Sequence, residues 1–234
     1  MDSTQRQARK AGLLYFLLAV TAPIGLEYVP AKLIVLGDAT ATAERIRGSE
    51  TLFRIGIASE LLHQAVGIFL LLSLYRLFKT VDKQQAVLMV ILGSLVSVPV
   101  VFANVFNDLA ALILLSGAPF LSPFDKPQLD ALAYMFLRLH SQGITVASIF
   151  WGLWLFPFGT LVIRSGFIPR VLGWLMMIAG VGYLVAAFVA ILIPAQAHAV
   201  GQVALLFEFG EIPIIFWLLI WGANGPRRAD PLPS

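Results

Sequence analysis

The chain has 234 residues, 59% hydrophobic and only 12% charged, with a formal net charge of +3 and a mean hydropathy of +0.87. Charged residues run near ~25% in soluble domains, so this composition excludes an ordinary soluble protein and points to an all-α integral membrane bundle with the lipid bilayer as its main partner. The basic residues lie in short segments between apolar runs, which argues against a nucleic-acid partner. The absence of cysteine removes disulfides, thiolate nucleophiles and Cys-ligated metals.

Six apolar runs, each long enough at ~1.5 Å per residue to cross a ~30 Å hydrocarbon core, leave room for one transmembrane domain over 1–234 and no separate soluble one. The first spans about 11–36, with Pro23 and Pro30 expected to bend it and Glu27 near its far end. It is longer than the ~7 to 15 residues of a signal-peptide core, so it reads as a retained span. A polar loop, GDATATAERIRGSE, follows. The second run, about 52–78, carries Arg54, Glu60 and His63 in its first half. The third, about 86–115, contains Pro99, Asn104, Asn107 and Asp108. A Pro-rich connection from Ser116 to Gln128 includes LSPFDKPQLD, a weak signal for a short surface helix. The fourth run, about 132–163, opens with Arg138 and His140. The fifth spans about 171–193. The sixth, about 200–221, carries Glu208 and Glu211, and a polar, Pro-rich tail closes the chain.

Six spans put both termini on one side of the membrane. Arg6, Arg9, Lys10, Arg76, Lys79, Lys83, Arg164, Arg170, Arg227 and Arg228 fall on that side, and Arg45, Arg47 and Lys126 on the other. Ten against three places the termini in the cytoplasm of a bacterial-type cell membrane. With that orientation, Glu27, Arg54, Glu60, His63, Asp108, Arg138, His140, Glu208 and Glu211 all fall in the outer half of the bilayer. A charge at the bilayer centre costs at least ~2.5 to 3.5 kcal/mol on insertion scales, so these groups must face one another or water. Glu60 and His63, Glu208 and Glu211, and Asn104, Asn107 and Asp108 share helix faces by spacing. Together with Arg138, Gln142 and Thr145 they describe one outward-opening polar cavity.

The cavity is acidic: five carboxyl groups, Glu27, Glu60, Asp108, Glu208 and Glu211, stand against Arg54 and Arg138, with His63 and His140 adjustable. Lys32 would help if its helix end folded back. The expected ligand-binding residues are Glu60, His63, Asp108, Arg138, His140, Glu208 and Glu211, and the occupant a small ligand, an ion or a lipid. Three further readings stand beside this one. Glu60 with Arg54 or Arg138 would be a structural ion pair. Glu-x-x-His at 60–63 has the i, i+3 spacing of helical-bundle metal sites, which makes His63, His140 and Glu211 metal candidates and a metal-dependent enzyme on a lipid-like substrate the alternative. His63 and His140 would also serve as a haem pair, so the cofactor stays unknown. His198 reads as a loop histidine. Phe150, Trp151, Trp154, Phe156 and Phe158 read as lipid-facing or interfacial aromatics, while Gly143, Gly152 and Gly159 permit close helix contact. Ser141 and Ser148 lack the context of a serine hydrolase.

The stretch HSQGITVASIFWGLWLFPFGTLVIRSGFIPRVLGWLMMIAGVGYL, with RKAGLLYFL near the start and GEIPIIFWLLIWG near the end, resembles the bacterial multi-pass family called domain of unknown function 4386. The resemblance covers almost the whole chain. It implies a six-span membrane fold with no assigned activity, and it draws attention to His140, Gly143, Arg164, Ser165, Gly166, Pro169, Arg170 and Glu211. Physically, Arg164 and Arg170 are placed to snorkel at two helix ends while Gly166 and Pro169 make the turn.

Overall fold

The computed structural model describes residues 3–223, so Arg227 and Arg228 of the basic-residue count lie outside the described residues. Seven helices account for the fold: α1 (Ser3–Leu33), α2 (Ala39–Gly48), α3 (Glu50–Phe78), α4 (Lys83–Leu115), α5 (Lys126–Ser165), α6 (Arg170–Leu192) and α7 (Pro194–Trp221). All but α2 are long and apolar enough to cross a membrane, and the protein is a multi-pass membrane protein. The spans pack in sequential order, α1 on α3, then α4, α5, α6 and α7, with α7 returning to α1 and closing a ring. Gln5 and Arg9 of α1 donate to the carbonyls of Trp221 and Ile220 at the end of α7, so the two ends of the described chain meet on one face of the bundle.

Several spans run past their expected bounds. Helix α1 begins at Ser3, ahead of the apolar run, and its polar first turns carry Gln5 and Arg9, which bind the end of α7. Helix α5 begins at Lys126: Asp125 and Gln128 form a capping box, and the second half of the segment read as a short surface helix is its first turn. At roughly 60 Å, 40 residues of helix exceed the hydrocarbon core. The loop expected at GDATATAERIRGSE is instead α2, capped by Asp38. Arg47 of α2 meets the buried carboxylate of Asp130 at 2.6 Å, Gly37 N donates to the Tyr134 hydroxyl at 2.8 Å, and Val35 N donates to Thr42. These contacts dock α2 on the start of α5 as a cap over the face away from the termini. On the terminal face, Arg164 meets Asp82, the N-cap of α4, at 2.6 Å. His198 sits exposed on the first turn of α7 rather than in a loop.

Four helix irregularities have one cause. Proline lacks an N–H and leaves the carbonyl four residues back without its helical partner. Pro30 does this to Leu26, within the π-turn Ile24–Tyr28. Pro99 does it to Leu95, within the π-turn Ile91–Val96. Pro157 does it to Leu153, where α5 breaks at Trp154, and Pro213 to Phe209, where α7 tightens into a 3-10 turn at Phe209–Glu211. All four distortions lie at mid-bundle depth.

That depth also separates two apolar cores. Toward the termini, Tyr15, Leu74, Phe78, Leu155, Phe158, Leu161, Met176 and Leu218 are buried together. Trp154 stacks on Phe158 with centroids 5.4 Å apart, and Phe78 meets Phe158 edge-on at 5.8 Å. Trp154 and Phe158, expected to face lipid, are thus core residues, since the break at Trp154 turns them inward. On the far side, Val29, Ile46, Phe53, Val105, Ala133 and Leu137 form a second cluster. Between the two lies a belt of buried polar side chains, among them Ser59, Glu60, Gln64, Ser97, Asn104 and Asp108.

Helices α5 and α6 approach through facing glycines seven residues apart on each. A Cβ on Gly152 would lie 2.8 Å from the Gly180 carbonyl oxygen, and one on Gly159 would lie 2.5 Å from that of Gly173. The turn between them passes through Gly166, whose φ of +70° suits glycine.

Candidate functional site

The belt residues separate into two groups. In the first, Glu60 of α3, Asp108 of α4 and His140 of α5 meet across three spans. Their ligand-capable atoms lie within 4.8 Å of one another. His140 Nδ1 is 2.7 Å from Asp108 Oδ1, and His140 Nε2 is 3.2 Å from Glu60 Oε2. The side chains of Glu60 and Asp108 are each only 4% exposed. Asn104, one turn from Asp108, donates to the His140 carbonyl at 2.9 Å and accepts from Asn107 at 3.0 Å, which fixes α4 against α5 at the height of the imidazole.

With Nδ1–H donating to Asp108, a neutral imidazole presents a lone pair at Nε2. Glu60 Oε2 is also an acceptor. The two atoms are close but not aligned as donor and acceptor, so both are buried without a hydrogen-bond partner among the described residues. Glu60 and His140 open onto a cavity of about 570 Å³ that is also lined by Gly25, Pro30, Ile34, Leu36, Arg138, Ser141 and Thr145.

Neither arginine pairs with Glu60. Arg54 is exposed and meets Glu50 one turn away at 2.7 Å. Arg138 is exposed, and among the described residues no carboxylate lies within ion-pair distance of it. Lys32 points its ammonium over the Tyr28 ring, 5.9 Å from the centroid, and lines neither cavity. An Arg–Glu pair is therefore replaced by imidazole between two carboxylates.

The second group surrounds a central cavity of about 480 Å³ lined by all six spans, including Glu27, His63, Gln64, Glu208 and Glu211. His63 Nδ1 is 3.1 Å from the Leu18 carbonyl, and Tyr15 donates to Glu211 Oε2. The one expected cavity is thus two, with Leu26 lining both. The structure brings His140 together with Glu60 and Asp108, and places His63 and Glu211 in the other cavity. Tyr15, Tyr183 and Gln64, which sequence reading passed over, and Trp151, expected to be lipid-facing or interfacial, line this second space. Each has an apolar body with a polar tip, and that double character inside an apolar run was the available signal.

Helix α5 passes Asn104 at Gly143, where a Cβ would fall 2.0 Å from Asn104 Oδ1. Gly143→Ala must therefore expel the Asn104 amide and its bond to His140. We expect a loss of about 1–3 kcal/mol, read as a lower midpoint of thermal unfolding in detergent.

Fold and site together define a six-span α-helical membrane protein with a carboxylate–imidazole–carboxylate cluster buried between its spans. The chain belongs to the family described as Domain of unknown function (DUF4386), whose profile matches residues 10–222. An uncharacterized protein of Archaeoglobus fulgidus is 39% identical over 74 residues, a stretch that is 32% of this chain and 43% of that protein; the match thus spans less than half of the relative's length. No solved structure matches the chain.

Proposed function

We propose that the protein binds a divalent transition-metal cation between Glu60 and His140, with Asp108 as the carboxylate that orients the imidazole from behind. The observation that carries this reading is the pair of buried acceptors, Glu60 Oε2 and His140 Nε2, 3.2 Å apart and lacking hydrogen-bond partners among the described residues. Two lone pairs at that separation repel unless a proton or a metal cation lies between them, and we adopt the metal. Tetrahedral zinc with bonds of ~2.0–2.1 Å sets neighbouring ligand atoms ~3.3 Å apart, close to the spacing here. Asp108 on Nδ1 is the outer partner that metal-binding histidines ordinarily carry. The remaining coordination positions face the 570 Å³ cavity, where water or a ligand would complete the shell and Arg138 would attract an anionic group. The basic-residue distribution supports cytoplasmic termini in a cell membrane, which sets the cluster in the outer half.

A second reading is favoured by one feature of that cavity. Its wall of Ile34, Leu36, Leu137 and Ile144 is apolar, and a metal held by two side chains keeps positions open to substrate, where catalytic zinc with three protein ligands keeps one, so a lipid-like substrate of a metal-dependent membrane enzyme would fit.

The test is zinc stoichiometry and affinity of the purified full chain in detergent. We expect one zinc per chain, near-complete loss in Glu60→Gln and His140→Gln, and about 10- to 100-fold weaker binding in Asp108→Asn, with all three still folded by circular dichroism. A folded wild-type protein that takes up no stoichiometric zinc would refute the reading, and the cluster would then be an imidazolium bridging two carboxylates.

A further inference from the structure

The central cavity has a chemistry of its own. Its charged lining consists of Glu27, Glu208 and Glu211, with His63 as the single basic side chain and no lysine or arginine among the lining residues. Apart from Gln64 and Ser97, the rest of the wall is apolar or aromatic, with Trp151, Trp154, Tyr15 and Tyr183 lining the same space. Carboxylates set among aromatic faces in a low-dielectric cavity favour a cation, because both the charges and the ring quadrupoles attract it. The apolar wall excludes a small hydrated ion, which would lose its water to surfaces that return few ligands, and favours a cation with an apolar body. At about 480 Å³ the space matches ordinary small-molecule sites of ~300–1,000 Å³.

A second observation points to an occupant. Gln64 lines the cavity and is only 5% exposed, yet among the described residues its side-chain amide makes no hydrogen bond. Its neighbours are otherwise engaged: Trp151 Nε1 donates to Ser97 Oγ at 3.0 Å, His63 is held at the Leu18 carbonyl, and Tyr15 donates to Glu211. A carboxamide without a partner in an apolar surround is unfavourable, and a ligand with a polar head would supply the missing bond.

We infer that the central cavity is a binding site for lipophilic organic cations, that is, amines or onium ions with an aromatic or branched apolar body, held by Glu208 and Glu211 against Trp151, Trp154 and Tyr183. This is separate from the metal reading. The two cavities have different polar groups, and Glu60, Asp108 and His140 do not line the central one.

Methyltriphenylphosphonium and its neutral near-isostere triphenylphosphine oxide serve as probes, with binding to the detergent-solubilised full chain followed by quenching of tryptophan fluorescence and by equilibrium dialysis. We expect saturable binding of the phosphonium, at least 10-fold weaker binding of the oxide, and at least 10-fold weaker phosphonium binding in Glu208→Gln and Glu211→Gln. Trp151→Leu should weaken it several-fold. All variants are to be checked by thermal unfolding, and Glu208, which is only half-buried, supplies a variant that folds if Glu211→Gln does not. Equal affinity for the two probes, no saturable phosphonium binding, or wild-type binding in a folded Glu208→Gln would each overturn the inference. Zinc binding should be unchanged in Glu208→Gln, so a failure here is distinguishable from a failure of the metal site.

Discussion

Replacing His140 by alanine should destabilise the protein by about 3–5 kcal/mol, the typical cost of removing one partner from a buried ionic group. Glu60 and Asp108, each 4% exposed at the side chain, would face each other with no imidazole between them. The sign of the effect can be tested internally. Adding Glu60→Gln and Asp108→Asn to His140→Ala removes both stranded charges, so the triple variant should recover part of the lost stability. Unfolding of metal-free protein in detergent, followed by circular dichroism, measures both steps. A loss below about 1 kcal/mol in His140→Ala would mean the carboxylates have found other partners, and the account of the cluster would fall.

Gly159→Leu should be at least as damaging, for a reason unrelated to charge. Its Cβ alone would stand 2.5 Å from the Gly173 carbonyl oxygen and 2.9 Å from Met177 Cγ. The first of these is backbone and cannot rotate away. Between membrane helices, association depends on close packing rather than on a hydrophobic drive, so forcing α5 from α6 forfeits contacts along the whole seam. We expect a loss of about 3 kcal/mol or more, at the upper end for overpacking. Gly201→Leu is the control, because a Cβ there meets nothing within 4 Å; its unfolding midpoint should stay within a few degrees of wild type. Equal midpoints for the two variants would show that the glycine seam does not hold the helices together.

The six spans were legible because each apolar run is long and carries few charges, and hydropathy responds to little else. What it missed were segments governed by other forces. Helix α2, ATATAERIRG, has no apolar run, and its determinants are the Asp38 cap and the remote Arg47–Asp130 pair, the second of which is invisible along the chain. Helix α5 starts early for the same reason, through its capping box. The buried cluster was partly legible: Glu60, Asp108 and His140 fall at one depth, and depth can be counted in residues. Which groups meet could not be counted. The turns around Leu26, Leu95, Leu153 and Phe209 change the number of residues per turn at this level, so faces extrapolated at a constant period go astray. Glu60 and His63 sit three apart on the regular helix α3, yet line different cavities because the helices packed around that face divide the space. Arg138 was expected inside on depth alone, but its long side chain allows the guanidinium to stay at the surface.

Leu26 lies in the wide turn of α1 and forms part of the wall of both cavities. If an occupant of one cavity displaces this shared partition, the two spaces become a linked pair. Whatever displaces Leu26 from one side alters the volume offered on the other, and no rigid-body movement of a whole span is needed. Were zinc and the organic cation both to bind as proposed, linkage would require symmetry: the factor by which zinc changes the dissociation constant of the organic cation would equal the factor by which that cation changes the dissociation constant of zinc.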